Sequence, residues 1–151
     1  WPVVGMLATG AGTLYIERES RRDALRVVHH MAERLQAGDV LAVFPEGTTG
    51  DGSAVLPFHA NLLQAAIAAQ AQVQPMSLHF VDGTTHTMSF DACYIGDDTL
   101  LQSVWRTLGS KDLQAVVRYG TPQLSEGRDR RAWAADLRDA VIALRSDTQS
   151  T

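Results

Sequence analysis

Apolar positions recur along this chain in two rhythms. Leu25, Val28, Ala32 and Leu35 return every three or four residues, the spacing that lines one face of a helix. Ser20 and Asp23 precede them like a capping box with a shortened acid, and Gly38 supplies a stop. Two runs flanking this helix have the other rhythm. Residues 13–16 (Thr-Leu-Tyr-Ile) are β-branched and aromatic behind Gly10-Ala11-Gly12 and predict a strand. Residues 40–44 (Val-Leu-Ala-Val-Phe) form an unbroken apolar run, the pattern of a strand buried on both faces. Pro45 ends it, since proline has no N–H to give a ladder.

The alternation continues. Residues 47–53 are rich in Gly, Thr and Asp and predict a loop, and residues 59–71, dense in Ala and Leu, predict a helix. Residues 73–79 predict a strand whose Pro75 belongs at a sheet edge or a strand start. Asp82-Gly83 turns the chain, and residues 86–95 alternate like a further strand. Asp98 stands where it can cap a helix running to Leu108. Residues 113–119 predict a strand and residues 129–145 a closing amphipathic helix, with Trp105 and Trp133 as packing anchors. Strand–helix alternation of this kind predicts an α/β fold: a mixed, largely parallel sheet flanked by helices. The 151 residues suit one domain, 1–145, followed by a polar tail, 146–151.

Composition narrows the functional classes. The chain is 45% hydrophobic and 20% charged, with a net charge of −4; these values exclude disordered and low-complexity classes. A protein that grips nucleic acid over a broad face carries a basic excess, so no nucleic acid partner is expected. The single Cys93 rules out an internal disulfide and a multi-cysteine metal site, and it fits a reducing compartment. No stretch approaches the ~18 apolar residues that span a bilayer, and no signal peptide pattern is visible.

The densest chemistry lies at Phe44-Pro45-Glu46-Gly47-Thr48-Thr49-Gly50. Ligands of open α/β sheets gather beyond the carboxyl ends of strands. Glycines let the backbone approach a ligand, successive N–H groups form an anion-binding hollow, and Thr48 and Thr49 add hydroxyl donors. The segment reads either as a phosphate or carboxylate cradle or as an ordinary Pro-Gly turn. Glu46 would repel a bare phosphate, so it reads as an acceptor for a substrate hydroxyl, an orienter of an arginine, or a cap. Arg18 follows a predicted strand and either forks onto a phosphate or pairs with Glu17 or Glu19. His29 and His30 sit on the helical stripe, and His59 and His79 lack carboxylates at metal spacing. Arg128, Arg130 and Arg131 lie at a helix start, where the dipole disfavours cations, and read as solvated. No Walker A lysine pattern, G-x-S-x-G elbow or H-E-x-x-H motif occurs.

Gly12-Thr13-Leu14-Tyr15-Ile16-Glu17-Arg18, then Phe44-Pro45-Glu46-Gly47-Thr48, then Val73-Gln74-Pro75 resemble the second, third and fourth sequence blocks of the glycerophospholipid acyltransferase family, the 1-acyl-glycerol-3-phosphate O-acyltransferases. The order and intervals agree, and the resemblance covers at least residues 1–77. It implies acyl transfer from an acyl thioester, carried by CoA or acyl carrier protein, to a hydroxyl of a lysophospholipid in phospholipid biosynthesis. The thioester is a co-substrate and no further cofactor is implied. It also implies that Gly12, Arg18, Glu46, Gly47, Thr48 and Thr49 hold the acceptor. Thr49-Gly50 stands where the third block usually has Arg-Ser, so an ornithine-type lysolipid without a free phosphate is a further candidate acceptor. Lipid substrates imply peripheral contact with a membrane, at its cytoplasmic face.

The family's first block, His-x-x-x-x-Asp, supplies the general base and lies upstream of the second. No such block precedes Gly12, and Trp1-Pro2-Val3-Val4-Gly5 resembles the segment that follows it. The catalytic histidine is therefore expected before Trp1, in a longer protein, and the isolated chain is expected to be inactive. His86 and Asp91 show the same spacing but fall after the fourth block. A strand would also place them on opposite faces, which makes them a decoy. A non-enzymatic phosphate- or lipid-binding module is the competing reading.

Overall fold

The structure, a computed structural model, describes residues 21–146 together with Met6 and Gly10, with side chains from Leu25 onward and that of Met6. The strand predicted at residues 13–16 and the tail at 147–151 lie outside the described residues.

Helix α1 (Arg21–Gln36) forms where the apolar stripe predicts it. Its end is a Schellman motif: the Gly38 N–H donates to the Leu35 carbonyl at 3.1 Å and the Asp39 N–H to the Arg34 carbonyl at 3.0 Å. Gly38 has a φ of +91°, which only glycine adopts without strain. Residues 60–62 make one 3-10 turn (Ala60–Leu62), which runs into α2 (Leu63–Ala69). Strand β1 (Met76–Asp82) is followed by a long connection containing α3 (Leu100–Gly109), then β2 (Leu113–Tyr119) and α4 (Arg130–Ser146). The two strands pair antiparallel, from Met76 opposite Tyr119 to Asp82 opposite Leu113. Pro75 sits immediately before β1, where its missing N–H costs no ladder bond.

The core is built around α2. On one side Ala65 packs with Met31 and Ala32 of α1; on the other Leu63 and Ala66 pack with Trp133, Ala134 and Leu137 of α4. Small alanines let α2 lie close to both neighbours. The α1 stripe is rotated from the predicted one: Met31 joins Ala32 in the core, while Leu25 is open. Helix α4 also packs across both strands. Alternate residues of β1, Ser77 and Val81, are buried, while Met76 and Leu78 face outward. This is the period-two pattern of a sheet covered on one face.

Several expectations are corrected. The described residues form a mixed helix-and-strand fold with one two-stranded antiparallel sheet, and a largely parallel sheet is not seen among them. Residues 40–44 form no strand, and Val40 is 96% exposed. A strand buried on both faces needs a ladder on either side, and no described residue pairs with this run. Residues 86–95 are not a strand either; only Met88 bridges to Val81. Asp82 turns the chain by accepting the N–H groups of Thr84 and Thr85 at 2.9 and 2.7 Å, and His86 takes a left-handed φ of +56°. The carbonyls of Asp91 and Cys93 then go to side chains of α3 instead of a neighbouring strand. Thr99, not Asp98, caps α3. Its hydroxyl accepts the Gln102 N–H while the Gln102 side chain accepts the Thr99 N–H, a complete capping box. Asp98 pairs instead with Arg106 at 2.8 Å.

Candidate functional site

The loop after residue 44 starts with a tight turn. The Gly47 N–H donates to the Phe44 carbonyl at 3.2 Å, which puts Pro45 second and Gly47 fourth, the positions each residue favours in turns. Gly47 has a φ of +67°, and a Cβ there would come within 2.6 Å of the His59 ring. Both facts require glycine. The close approach is fixed by the backbone, because the His59 N–H donates to the Pro45 carbonyl at 2.8 Å. His59 is thus brought to the Glu46-Gly47 corner. Sequence reasoning missed it by searching the histidines for metal spacing; the available signal was its position at the start of the helix that follows the loop.

Glu46 is half-buried, and its Oε2 accepts the Leu56 N–H at 2.8 Å. That bond orients the carboxylate and leaves Oε1 for another donor. Thr48 and Thr49 are exposed, and among the described residues nothing engages their hydroxyls or the N–H groups of residues 48–50. The result is a short run of donors that no described residue engages beside one fixed acceptor, suited to an oxyanion flanked by a hydroxyl.

The far limb of the loop is held by α4. Arg138 Nη2 donates to the Val55 carbonyl at 2.7 Å, and its Nε to the Val55 and Leu56 carbonyls, each at 3.2 Å. Arg145 donates to the Gly52 carbonyl. Asp51 accepts the Ser53 N–H at 2.8 Å, and hydrogen bonding from Ser53 holds its carboxyl below the usual range. Glu46, Arg138 and Arg145 together clamp residues 52–56, which anchors the far limb of the loop that carries the Thr48 and Thr49 hydroxyls.

Other predicted residues fall elsewhere. Gly12 and Arg18 lie outside the described residues. His86 and Asp91 do not meet: His86 is exposed, and the Asp91 carboxylate accepts the Ser110 hydroxyl at 2.6 Å. Arg128 is not merely solvated. It pairs with Asp136 at 2.7 Å, donates to the Leu124 and Ser125 carbonyls, and lies 5.8 Å from the centre of the Trp133 ring. A shallow hollow of about 430 Å³ beside it is lined by Gln64, Ile67 and residues 128–131, none of them in the loop. Trp133 is fully buried, as predicted, whereas Trp105 is not an anchor and projects outward. Among the described residues no group of His, Cys, Asp or Glu could hold a metal, and no helix is long and apolar enough to cross a membrane.

Residues 1–79 match the family model described as Acyltransferase. The chain is 37% identical over 142 residues to a lyso-ornithine lipid O-acyltransferase of Pseudomonas aeruginosa, covering 93% of this chain and 54% of the relative. It is 33% identical over 148 residues to a 1-acyl-sn-glycerol-3-phosphate acyltransferase of Neisseria gonorrhoeae, covering 97% and 57%. A human 1-acyl-sn-glycerol-3-phosphate acyltransferase alpha is 34% identical over 73 residues, covering 48% and 26%. The chain therefore spans about half the length of the bacterial relatives it matches. No solved structure matches it. The Phe44–Gly50 loop whose geometry is described above falls within the matched segment, and the chain belongs to the glycerophospholipid acyltransferase family.

Proposed function

We propose that this chain is the acceptor-holding part of a lysophospholipid O-acyltransferase working at the cytoplasmic face of a membrane. The acyl group moves from an acyl-CoA or acyl carrier protein thioester to a hydroxyl of a lysophosphatidate-type acceptor. The hydroxyl oxygen attacks the thioester carbonyl, the carbon–sulfur bond breaks, and the hydroxyl proton passes through a general base to the departing thiolate. That base is the histidine expected before Trp1, so the isolated chain binds acceptor without turning it over. In the whole protein, residues 40–44 would find parallel strand partners.

The observation that carries this reading is the anchored turn at Glu46-Gly47. It sets N–H groups and the Thr48 and Thr49 hydroxyls, which no described residue engages, beside a carboxylate whose Oε1 takes no donor among the described residues. The amides and hydroxyls suit the phosphate, and Glu46 suits the adjoining glycerol hydroxyl. Arg18, carried over from the family resemblance, would add the cation that offsets Glu46.

A second acceptor is favoured by one residue. With Thr49 where the family usually has arginine, the loop carries less positive charge. An ornithine head group presents an amine, which Glu46 would welcome. The Pseudomonas relative's name fits that alternative.

Titration of the chain with monomeric lysophosphatidate and with lyso-ornithine lipid tests both readings. Binding of either, weakened about tenfold or more by Glu46→Gln, is expected, since a charge-assisted hydrogen bond contributes about 1.5–3 kcal/mol. Thr49→Arg should shift preference toward lysophosphatidate. Binding of neither lipid would overturn the proposal.

A further inference from the structure

We propose that α3 docks on the surface of an electrically neutral lipid bilayer through Leu101, Val104, Trp105 and Leu108, an assignment that rests on the lipid-acyltransferase reading and gives that protein a specific membrane-contact element.

The helix is turned inside out. Ser103, Arg106, Thr107 and Ser110 recur at helical spacing and point into the protein. The Ser103 hydroxyl and Arg106 Nη2 donate to the Cys93 carbonyl. Arg106 Nε and the Thr107 hydroxyl donate to the Asp91 carbonyl at 3.2 and 3.1 Å, and the Ser110 hydroxyl donates to the Asp91 carboxylate. The opposite stripe, at i, i+3, i+4 and i+7, is wholly apolar and open to solvent. Leu101 is 67% exposed, Trp105 79% and Leu108 73%, with Val104 beside them. A surface helix ordinarily buries its apolar stripe, so this orientation calls for an apolar partner.

Three observations select a bilayer over a protein. First, the ten residues of α3 make a helix about 15 Å long and about 10–12 Å across, a footprint under about 200 Å². A stable interface needs about 800 Å² from each partner, so a second copy would gain too little. Second, a specific protein interface carries direct hydrogen bonds. Here Thr99, Gln102, Ser103, Arg106, Thr107 and Ser110 all spend their side chains within the protein. Hydrocarbon requires none, and the capping box satisfies the Thr99 and Gln102 N–H groups at the helix start, where each free N–H would be costly in lipid. Third, a tryptophan among aliphatic side chains is suited to the boundary between head groups and acyl chains. Arg106 is already neutralised by Asp98, and residues 97–112 hold three acids against two bases. Anionic lipid would therefore add little.

Flotation of the whole 151-residue chain with phosphatidylcholine vesicles, with and without phosphatidylglycerol, tests this. The chain should float with neutral vesicles and stay bound in high salt. The double variant Trp105→Ala, Leu108→Ser should lose at least about tenfold in partition coefficient, and Leu101→Ser a smaller share. Leu25→Ser, an equally exposed apolar position on α1, should change binding less than about twofold. No flotation, or equal loss from Leu25→Ser, overturns the assignment. So does self-association in sedimentation velocity that the double variant abolishes while flotation persists. Monomeric lysolipid titration of the double variant should match the parent. Flotation without lysolipid binding would sink the acceptor-site reading and leave the docking helix standing; lysolipid binding without flotation would do the reverse.

Discussion

Helices α3 and α4 are built from the same alternation of apolar and polar residues, yet they face opposite ways. Helix α4 turns Trp133, Ala134 and Leu137 into the core against Leu63 and Ala66. Helix α3 turns its hydroxyls and Arg106 inward and leaves Trp105 and its aliphatic neighbours outside. Amphipathic periodicity defines two faces without saying which one is inside. For α4 the choice follows from burying apolar area, worth about 25 cal/mol per Å². For α3 the segment beneath it offers bare carbonyls at Asp91 and Cys93, and only the polar stripe can satisfy them. Leaving those acceptors unpaired would cost about 1–3 kcal/mol each.

Four substitutions probe this contrast. Trp133→Ala should be the most damaging. It empties a fully buried site and removes the 3.2 Å bond from the indole N–H to Gln123. A loss of about 3–5 kcal/mol is expected, lowering the midpoint of thermal unfolding by roughly 6–20 °C. Arg138→Met keeps the α4 packing but releases the Val55 and Leu56 carbonyls. It should cost about 1–3 kcal/mol in denaturant unfolding and weaken lysolipid binding, because residues 52–56 lose their anchor. Thr99→Ala removes half the capping box and should cost about 1 kcal/mol, read as faster amide exchange in the first turn of α3. Trp105→Ala, the same chemical change as the first, should move stability by no more than about 0.5 kcal/mol. A large loss there would show that the outward stripe is packed against something within the chain.

Acid provides a smaller, independent probe of the α4 side. His79 has both ring nitrogens buried without partners among the described residues, and burial, then Arg118 and Arg145, push its pKa below the ordinary value near 6.5. The unfolded chain therefore takes up this proton first as pH falls. Stability should be intact above about pH 6.5 and decline as pH drops from there toward the lower folded value. His79→Leu should flatten that part of the profile in urea titrations at successive pH values.

Much of this was legible from residue order. Residues 113–119 form the predicted strand without a shift, and the helix predicted from residue 129 begins there, with the Asp129 carboxylate accepting the N–H groups of Arg131 and Ala132. Gly38 stops α1, and Pro45 and Gly47 make the turn on which the candidate site is built. These features depend on φ restrictions, missing N–H groups and side chains that reach only a few residues along the chain, so local sequence suffices. The acyltransferase blocks were legible for the same reason, being short, contiguous patterns.

What residue order could not settle depended on distant partners. The apolar run at residues 40–44 reads as a buried strand, yet strandhood belongs to a ladder, and no described residue supplies one. Residues 86–95 have strand-like alternation, but the carbonyls of Asp91 and Cys93 are taken by side chains of α3. Nothing near Glu46 in sequence announced that Leu56 would fix its carboxylate, that His59 would close on Gly47, or that Arg138 would reach back to tie down the loop. Residue order alone specified which elements could form and which loop could carry chemistry, because those are short-range properties of the backbone. Tertiary structure decided which faces turn inward and what clamps the loop, because burial and hydrogen-bond satisfaction are properties of the whole packed chain.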